Sequence, residues 1–263
     1  MFSGITSFIN GLRADPAGTL ITLVYTAVCI LFSLIIHEVA HGWVALKCGD
    51  PTAKWLGRLT MDPRKHLDPY GTVCMLLLHI GWAKPVPVNP RNFKNYRRDY
   101  ILVSLAGIAV NLCVCILSLI ISALLAKVVW SADALQSVDG NYFLNLYRYY
   151  PANAVYGGEI GELVENGLIA SAPMAYVQRI FLMLAQMNLG LAIFNLLPVP
   201  PLDGYRFLDQ FVFKGRLALE EGTMQIIRIG FLVVCFSGLL DGLLTTVNRG
   251  VFTFFSNLIA VLV

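Results

Sequence analysis

The stretch AGTLITLVYTAVCILFSLIIHEVAHG, residues 17–42, decides how this chain folds. Its first 20 residues, Ala17 to Ile36, carry no charge. A helix of about 20 apolar residues is long enough to cross the hydrocarbon core of a bilayer. A secretory signal would be shorter and would lead into small residues at a cleavage site, whereas this run leads into His37 and Glu38. The stretch therefore predicts a membrane-spanning helix that ends in ionisable residues.

The composition of the whole chain indicates a membrane protein. Of its 263 residues, 57% are apolar and 13% are charged, against about 45–50% and 25% in soluble domains. Three further stretches are apolar enough to be spans: Tyr100–Ala126, Ile180–Leu202 and about Thr223–Thr245. Pro69–Ala83 and Gly250–Val263 are apolar but short, and the sequence leaves open whether they span, re-enter or lie at the interface. We expect an all-α polytopic protein with about four to six transmembrane helices.

The distribution of lysine and arginine predicts the orientation in the membrane. Residues 47–98 contain ten of the nineteen basic residues, while residues 131–175 contain one, together with five acids. Cytoplasmic loops carry the excess of basic residues. We therefore expect 47–98 in the cytoplasm, 131–175 as an extracytoplasmic loop and the N-terminus outside. Residues 1–263 are interpreted as a single domain with its core at about 17–245, and no nucleic-acid partner is expected.

The inner end of the first span has the pattern of a zinc site. His37-Glu38-Val39-Ala40-His41 is H-E-x-x-H, and residues four apart project from one face of a helix. Two imidazoles at this spacing can share one Zn²⁺ ion, with Glu38 beside them to take a proton from water. Burying such groups at membrane depth is costly unless they are paired or functional. We therefore predict a metal site rather than a chance match.

A metal site of this kind needs a third protein ligand, and topology narrows the search for it. The third span runs in the same direction as the first and ends in NLLPVPPLDG, residues 195–204, so Asp203 falls at about the depth of the two histidines. The prolines cannot continue a helix, and irregular backbone at membrane depth is tolerated only inside protein or along a wet cavity. Asp203 is the expected ligand, with capping of the next helix as its alternative role. Asp209 and Asp99 border more polar stretches and are weaker candidates.

These motifs resemble those of the site-2 protease family, the intramembrane zinc metalloproteases of peptidase family M50. H-E-V-A-H-G in a first span and L-D-G after a proline-broken later span are the two metal motifs of that family. The stretches GDPTAK (49–54), GRLT (57–60) and GWAKPVPVNP (81–90) resemble a compact bacterial branch without a PDZ domain. The resemblance implies one zinc ion per chain held by His37, His41 and Asp203, Glu38 as general base, and the plasma membrane of a bacterium.

The second span departs from the family at one position. The family commonly has A-G-P-x-x-N there, whereas this chain reads Ala106-Gly107-Ile108-Ala109-Val110-Asn111, with isoleucine in place of proline. Asn111 could donate a hydrogen bond to the oxyanion of a tetrahedral intermediate. It could also join two helices, as polar residues often do in membranes. The sequence leaves both roles open.

Proteolysis also needs an extended substrate, because helical peptide bonds are shielded by their own hydrogen bonds. Ala53–Thr60 and Ala83–Val88 are expected to be extended, and an exposed edge there could pair with an unwound substrate strand. These segments could also be ordinary cytoplasmic connections. The expected fold therefore includes a short membrane-associated extended or β segment near the active site.

The residues and the resemblance together imply zinc-dependent hydrolysis of peptide bonds in membrane-spanning substrates, with the lipid bilayer as the other partner. One alternative is a membrane-anchored zincin of the soluble type, with Glu220 or Glu221 as third ligand. Another is a metal-binding sensor that has lost catalysis. A di-iron desaturase needs several boxes of histidines, and this chain has four histidines in all. A transporter would be expected to show two related halves, which the sequence does not.

Overall fold

The computed structural model describes residues 9–13, 16–68, 71, 84–136, 164–217 and 219–262. The main helices are α1 (Pro16–Lys47), α2 (Thr52–Trp55), α3 (Tyr96–Val129), α4 (Ala132–Gln136), α5 (Ala172–Asn195), α6 (Asp203–Phe211), α7 (Glu221–Ser237) and α8 (Asp241–Leu262). Short 3₁₀ helices cover Pro63–Lys65 and Pro90–Asn92. Within these described ranges, extended pairing amounts to isolated bridges such as the one between Trp130 and Ile169. The helical fold class is confirmed, whereas the expected β segment is not seen in the described ranges.

Three of the described helices are long and apolar enough to cross a membrane: Gly18–Lys47, Tyr96–Val129 and Ala172–Asn195. They correspond to the first three predicted spans. The third ends at Asn195 instead of continuing to Leu202, because the prolines that follow cannot continue a helix.

The predicted fourth span, Thr223–Thr245, is wrong as a continuous helix. α7 ends at Ser237, and Gly238 follows in the left-handed conformation with φ 76°. A left-handed glycine commonly ends a helix because it lacks the Cβ atom that opposes this conformation. Residues 250–262 of the short apolar stretch Gly250–Val263 belong to α8, a helix of 22 residues. The other short apolar stretch, Pro69–Ala83, lies outside the described residues except for Gly71. Most of the predicted external loop, residues 137–163, also lies outside them.

The chain divides into two compact units. One consists of Leu31–Leu112 and Leu189–Thr246, and the other of Phe2–Ile30, Cys113–Asn188 and Val247–Val263. In the second unit, the Trp130 indole N–H donates to Gln178 Oε1 at 3.3 Å, and the Gln178 amide donates to the Ser122 carbonyl at 2.9 Å. The first unit contains all of the predicted site residues. That the chain is a single domain stays a prediction.

α1 ends in a glycine cap that directs the following segment. Gly49 has φ 109°, and the Asp50 N–H bonds to the Ala45 carbonyl at 2.9 Å. In this Schellman arrangement a left-handed residue lets the chain satisfy the last helical carbonyls. The buried Asp50 carboxylate then accepts hydrogen bonds from the N–H groups of Thr52 and Asn89. Asp50 thereby fastens the segment before α3 to the end of α1.

The segment Ala53–Thr60 is not extended as predicted. Thr52–Trp55 forms the short helix α2, which ends in a turn at Gly57 with φ 61°. Proline has a fixed φ that suits the start of a helix, and Pro51 stands at the beginning of this one. Residues 84–89 form neither helix nor strand. This part of the chain is therefore a sequence of turns and irregular backbone.

Candidate metal centre

The three predicted metal ligands meet between α1 and α6. His37 and His41 lie one turn apart on α1, and Asp203 is the first residue of α6. Asp203 Oδ2 is 3.1 Å from His37 Nε2 and 3.0 Å from His41 Nε2, and the two Nε2 atoms are 3.1 Å apart. All three residues are at most 7% exposed. Among the described residues, they form the group of His, Cys, Asp and Glu side chains that could hold a metal ion.

The donor set fits zinc. Imidazole and carboxylate ligands lie about 2.0–2.2 Å from zinc in a tetrahedron, so neighbouring ligand atoms are about 3.3 Å apart. The observed separations of 3.0, 3.1 and 3.1 Å give a nearly equilateral triangle, close to one face of such a tetrahedron. Three protein ligands leave the fourth position open for water, as in catalytic rather than structural zinc sites.

A backbone carbonyl sets the proton position on His41. The Nδ1 atom of His41 is 2.6 Å from the carbonyl oxygen of Val103 on α3. A carbonyl oxygen only accepts, so Nδ1 carries the proton of the neutral ring. The lone pair is then at Nε2, the atom nearest Asp203. His41 is oriented and protonated as a metal ligand requires.

Asp203 supplies the negative charge of the group. Burial raises the pKa of its carboxyl, but the His37 and His41 side chains beside it lower the pKa by more, so the net pKa lies below the ordinary value of 3.8. Arg206, one turn along α6, places Nη1 3.5 Å from the other carboxylate oxygen, Oδ1. An ionised carboxylate offsets part of the charge that a divalent cation would bring into a buried site.

The glycine after Asp203 allows α6 to begin where it does. The turn through residues 196–202 joins α5 to α6. A Cβ atom at Gly204 would overlap the backbone of Leu196 at the end of α5. The missing side chain therefore lets the first turn of α6 lie directly against that backbone. This close approach is a physical reason for the glycine in the L-D-G motif.

Glu38 lies beside the ligands and is held by the segment before α3. It follows His37 directly, is half-buried, and its Oε2 atom accepts a hydrogen bond from the Val86 N–H at 2.8 Å. This bond joins one carboxylate oxygen of Glu38 to the segment before α3. The predicted general base is therefore a positioned carboxylate next to the metal ligands.

The same backbone segment has little hydrogen-bonding capacity left for a substrate strand. Pro85 and Pro87 have no N–H, the Val86 N–H bonds to Glu38, and the Lys84 N–H bonds to the His66 carbonyl at 2.8 Å. The Arg58 guanidinium donates to the carbonyls of residues 84 and 85 at 2.8 and 3.1 Å. Pairing between residues 83–88 and a substrate stays a prediction, and residues 84–87 would have no free N–H for it.

Sequence reasoning missed two contributions of α3 to the site: the backbone carbonyl of Val103 and the missing side chain of Gly107. Val103, Gly107 and Asn111 are four residues apart and therefore follow one stripe of the helix. A Cβ atom at Gly107 would overlap the rings of both His37 and His41, so the close approach requires glycine. The glycine in the A-G-x-x-x-N pattern could have indicated this. The Val103 carbonyl carries no sequence signal, because any residue type supplies the same backbone atom.

Asn111 is close to the first histidine. Its side-chain Nδ2 atom is 3.0 Å from His37 Nδ1, the ring nitrogen on the far side from Asp203, and the residue has no exposed surface. The amide therefore lies behind the imidazole rather than beside its ligand atom. The contact joins α3 to α1, which is of the helix-joining kind considered from the sequence, but the sequence did not indicate that its partner is a predicted metal ligand.

The alternative third ligands have other partners or lie at the surface. Asp209 accepts a hydrogen bond from the Leu217 N–H at 3.0 Å, and Asp99 accepts one from the Asn95 N–H at 2.8 Å at the start of α3. Glu220 and Glu221 are exposed and lie outside the group of three ligands. The described residues therefore favour Asp203 over the acids that an anchored zincin would use.

This chain is similar to members of one protein family. The family model described as "Peptidase family M50" matches residues 25–237. The "Putative zinc metalloprotease YwhC" of Bacillus subtilis (strain 168) is 37% identical over 209 residues, which cover 80% of this chain and 77% of the relative. The "Putative zinc metalloprotease Rip2" of Mycobacterium tuberculosis (strain H37Rv) is 29% identical over 252 residues, which cover 91% of this chain and 79% of the relative. No solved structure matches this chain.

Proposed function

Because this chain belongs to peptidase family M50, we propose that it is a zinc-dependent intramembrane endopeptidase that cleaves transmembrane peptides or proteins. The observation that carries the proposal is the convergence of two imidazoles and the Asp203 carboxylate, with Glu38 next to them on the same helix. A zinc ion held there supplies a Lewis acid that activates water near neutral pH.

The residues of the chain divide the proposed work between binding and proton transfer. His37, His41 and Asp203 hold the ion, and Glu38 takes a proton from the attacking water and delivers it to the leaving amine. The Val86 N–H restrains one carboxylate oxygen of Glu38 during this transfer. A positioned general base of this kind contributes about 10²- to 10⁴-fold to the rate.

The position of the ligands supports cleavage within the membrane. His37 and His41 belong to the apolar helix Gly18–Lys47, and Asp203 follows the apolar helix Ala172–Asn195. Ionisable residues in such helices face protein or a wet cavity and mark functional sites. We further propose that the site opens toward the cytoplasm of a bacterium, because the adjoining segment 47–98 holds the excess of basic residues.

Replacing Glu38 by glutamine separates catalysis from metal binding. The purified variant in lipid nanodiscs should retain wild-type zinc content, since all three ligands remain. Its cleavage of a labelled transmembrane peptide should fall by about 10²- to 10⁴-fold, since the base is lost. Glu220→Gln is the matched control, because Glu220 is an exposed acid outside the ligand group. It should match the wild type in both measurements.

The same assay, run with the wild type and with a water-soluble peptide added as a second substrate, distinguishes the alternatives. A sensor that has lost catalysis would bind zinc but cleave nothing in the wild-type form. An anchored zincin of the soluble type would cleave a water-soluble peptide as fast as one embedded in the nanodisc. Cleavage by Glu38→Gln at the wild-type rate would show that Glu38 is not the general base.

A further inference from the structure

His37 and His41 present the same atom to the metal position but differ behind the ring. Both offer Nε2 toward Asp203, at 3.1 and 3.0 Å. Behind His41 the Nδ1 partner is the carbonyl of Val103, which can only accept. Behind His37 the Nδ1 partner is the side-chain amide of Asn111, which has both a donor and an acceptor.

Metal binding through Nε2 determines what His37 needs from that amide. A neutral imidazole that binds a cation through Nε2 carries its proton on Nδ1, and this N–H requires an acceptor. In the observed orientation Nδ2 of Asn111 is 3.0 Å from Nδ1, and a donor there leaves the ring proton on Nε2. That Nε2–H can donate to Asp203 Oδ2 at 3.1 Å. A metal bound at Nε2 requires the opposite arrangement, with an acceptor beside Nδ1.

The other atom of the amide is available for the opposite arrangement. Asn111 Oδ1 is buried and has no hydrogen-bond partner within the part of the chain that the structure describes. A half-turn of the amide about its last side-chain bond exchanges Oδ1 and Nδ2, which occupy nearly the same volume. Oδ1 would then accept the Nδ1–H of His37, as the Val103 carbonyl accepts that of His41.

We propose that Asn111 is a positioning residue for the metal ligand His37, and that its side-chain oxygen accepts the Nδ1–H of His37 in the metal-bound protein. With metal, Oδ1 accepts from Nδ1–H and the Nε2 lone pair faces the ion. This inference rests on the proposed zinc site and gives Asn111 a role in metal affinity rather than in stabilising an oxyanion.

The location of the amide separates these two roles. An oxyanion donor must lie beside the open position of the metal, on the ligand-atom side of the imidazoles. Asn111 contacts the opposite ring nitrogen and has no exposed surface. Asn111, Gly107 and Val103 lie on one face of α3. Asn111 lies behind the ring of His37, and the Val103 carbonyl lies behind the ring of His41. Asn111 therefore orients a metal ligand and does not contact the reacting atoms.

Zinc affinity, measured by competition with a chelator of known affinity, tests this role without reference to activity. Asn111→Leu should bind zinc about 10- to 100-fold more weakly, the usual effect of removing an outer partner of a metal-bound histidine. Asn111→Asp should bind at least as tightly as the wild type, because a carboxylate can accept from Nδ1–H but cannot donate to Nδ1. Asn188→Leu is the matched control, since Asn188 is equally buried and its amide bonds to Leu184 of its own helix at 2.8 Å.

Wild-type affinity in Asn111→Leu would overturn the inference, and so would equal losses in Asn111→Leu and Asn111→Asp. If Asn111→Leu does not fold, Asn111→Asp alone decides: a tenfold weaker affinity than the wild type contradicts the proposed acceptor role. An oxyanion donor predicts a different result, in which both variants bind zinc normally and both lose activity. A wild type that takes up no zinc would contradict the proposed function itself, which distinguishes the two failures.

Discussion

Asp50 and Asp203 are two buried carboxylates of the same compact unit, and they have opposite kinds of neighbours. Asp50 has no exposed surface and accepts hydrogen bonds from the Thr52 N–H and hydroxyl, the Asn89 N–H and the Asn92 side-chain amide. Asp203 is 5% exposed, and its nearest partners are the Nε2 atoms of two histidines. The two residues share chemistry and burial, so their partners account for the difference in role.

The partners of Asp50 are N–H and O–H groups, and each of them donates a hydrogen bond to its carboxylate. The partners of Asp203 are ring nitrogens, and that of His41 has no proton to give because Nδ1 of the same ring already donates to Val103. Two imidazole nitrogens, at least one of them with a free lone pair, lie within 3.1 Å of each other and of an ionised carboxylate, and this cluster fits a cation. A buried carboxylate is therefore a ligand candidate when its neighbours are imidazole nitrogens that can bind a cation, and it has a structural role when its neighbours are N–H and O–H donors.

The largest difference between the two carboxylates should appear when each is changed to asparagine. Asp203→Asn should lose zinc and cleavage together, because a neutral amide is a poor ligand. The loss of zinc affinity should be larger than the loss of about 10- to 100-fold expected when a hydrogen-bond partner of a metal ligand is removed. Asp50→Asn should retain wild-type zinc content per folded molecule, but should unfold more easily by about 1–3 kcal/mol, because charge-assisted hydrogen bonds are lost.

Metal content and thermal unfolding in detergent measure both effects on the same samples. Asp209→Asn is a second control, since Asp209 closes a turn through the Leu217 N–H and should not affect zinc. Full zinc in Asp203→Asn together with loss in Asp209→Asn would reject the ligand set.

An intermediate effect is expected at Gly107, which lets this cluster of two imidazoles and a carboxylate form. Gly107→Ala places a methyl group against both imidazole rings, and such overpacking costs about 1–3 kcal/mol. Because the rings themselves must shift, zinc affinity should fall along with stability. Gly230→Ala is the control: it is a helical glycine with no neighbour within 4 Å of an added Cβ. Equal zinc affinity in the two alanine variants would show that the rings tolerate the methyl group.

The residues that sequence alone identified are those whose chemistry is unusual for their surroundings. His37, Glu38 and His41 stand out because they adjoin an apolar run, and Asp203 because it follows a proline-broken helix. The Val103 carbonyl and the orientation of the Asn111 amide could not be predicted, because both depend on how α3 packs against α1. The break at Gly238 was missed for another reason: hydropathy favours a continuous span there, whereas the backbone ends the helix locally. Similarly, Thr52–Trp55 turns into a helix because of Pro51 and the Asp50 carboxylate.

The smallest expected effect concerns acid stability and depends on Asp50 alone. Burial raises the pKa of its carboxyl, but hydrogen bonds from Thr52, Asn89 and Asn92 outweigh it, and the net pKa lies below the ordinary value of 3.8. A carboxyl whose pKa is lower in the folded state stabilises the protein above its unfolded pKa, and this contribution disappears as the pH falls through the folded pKa. The wild type should therefore lose part of its advantage over Asp50→Asn between pH 5 and pH 3.

The measurement is the difference in unfolding midpoint between the wild type and Asp50→Asn at each pH, in the same detergent. Other acids, Asp203 among them, titrate in both proteins and cancel in this difference. Because the folded pKa of Asp50 lies below the unfolded one, the difference should shrink steadily toward acid pH. A difference that stays constant from pH 5 to pH 3 would mean that Asp50 has the same pKa in the folded and unfolded states. Its four hydrogen bonds would then not favour the ionised carboxylate, and the contrast with Asp203 would rest on geometry alone.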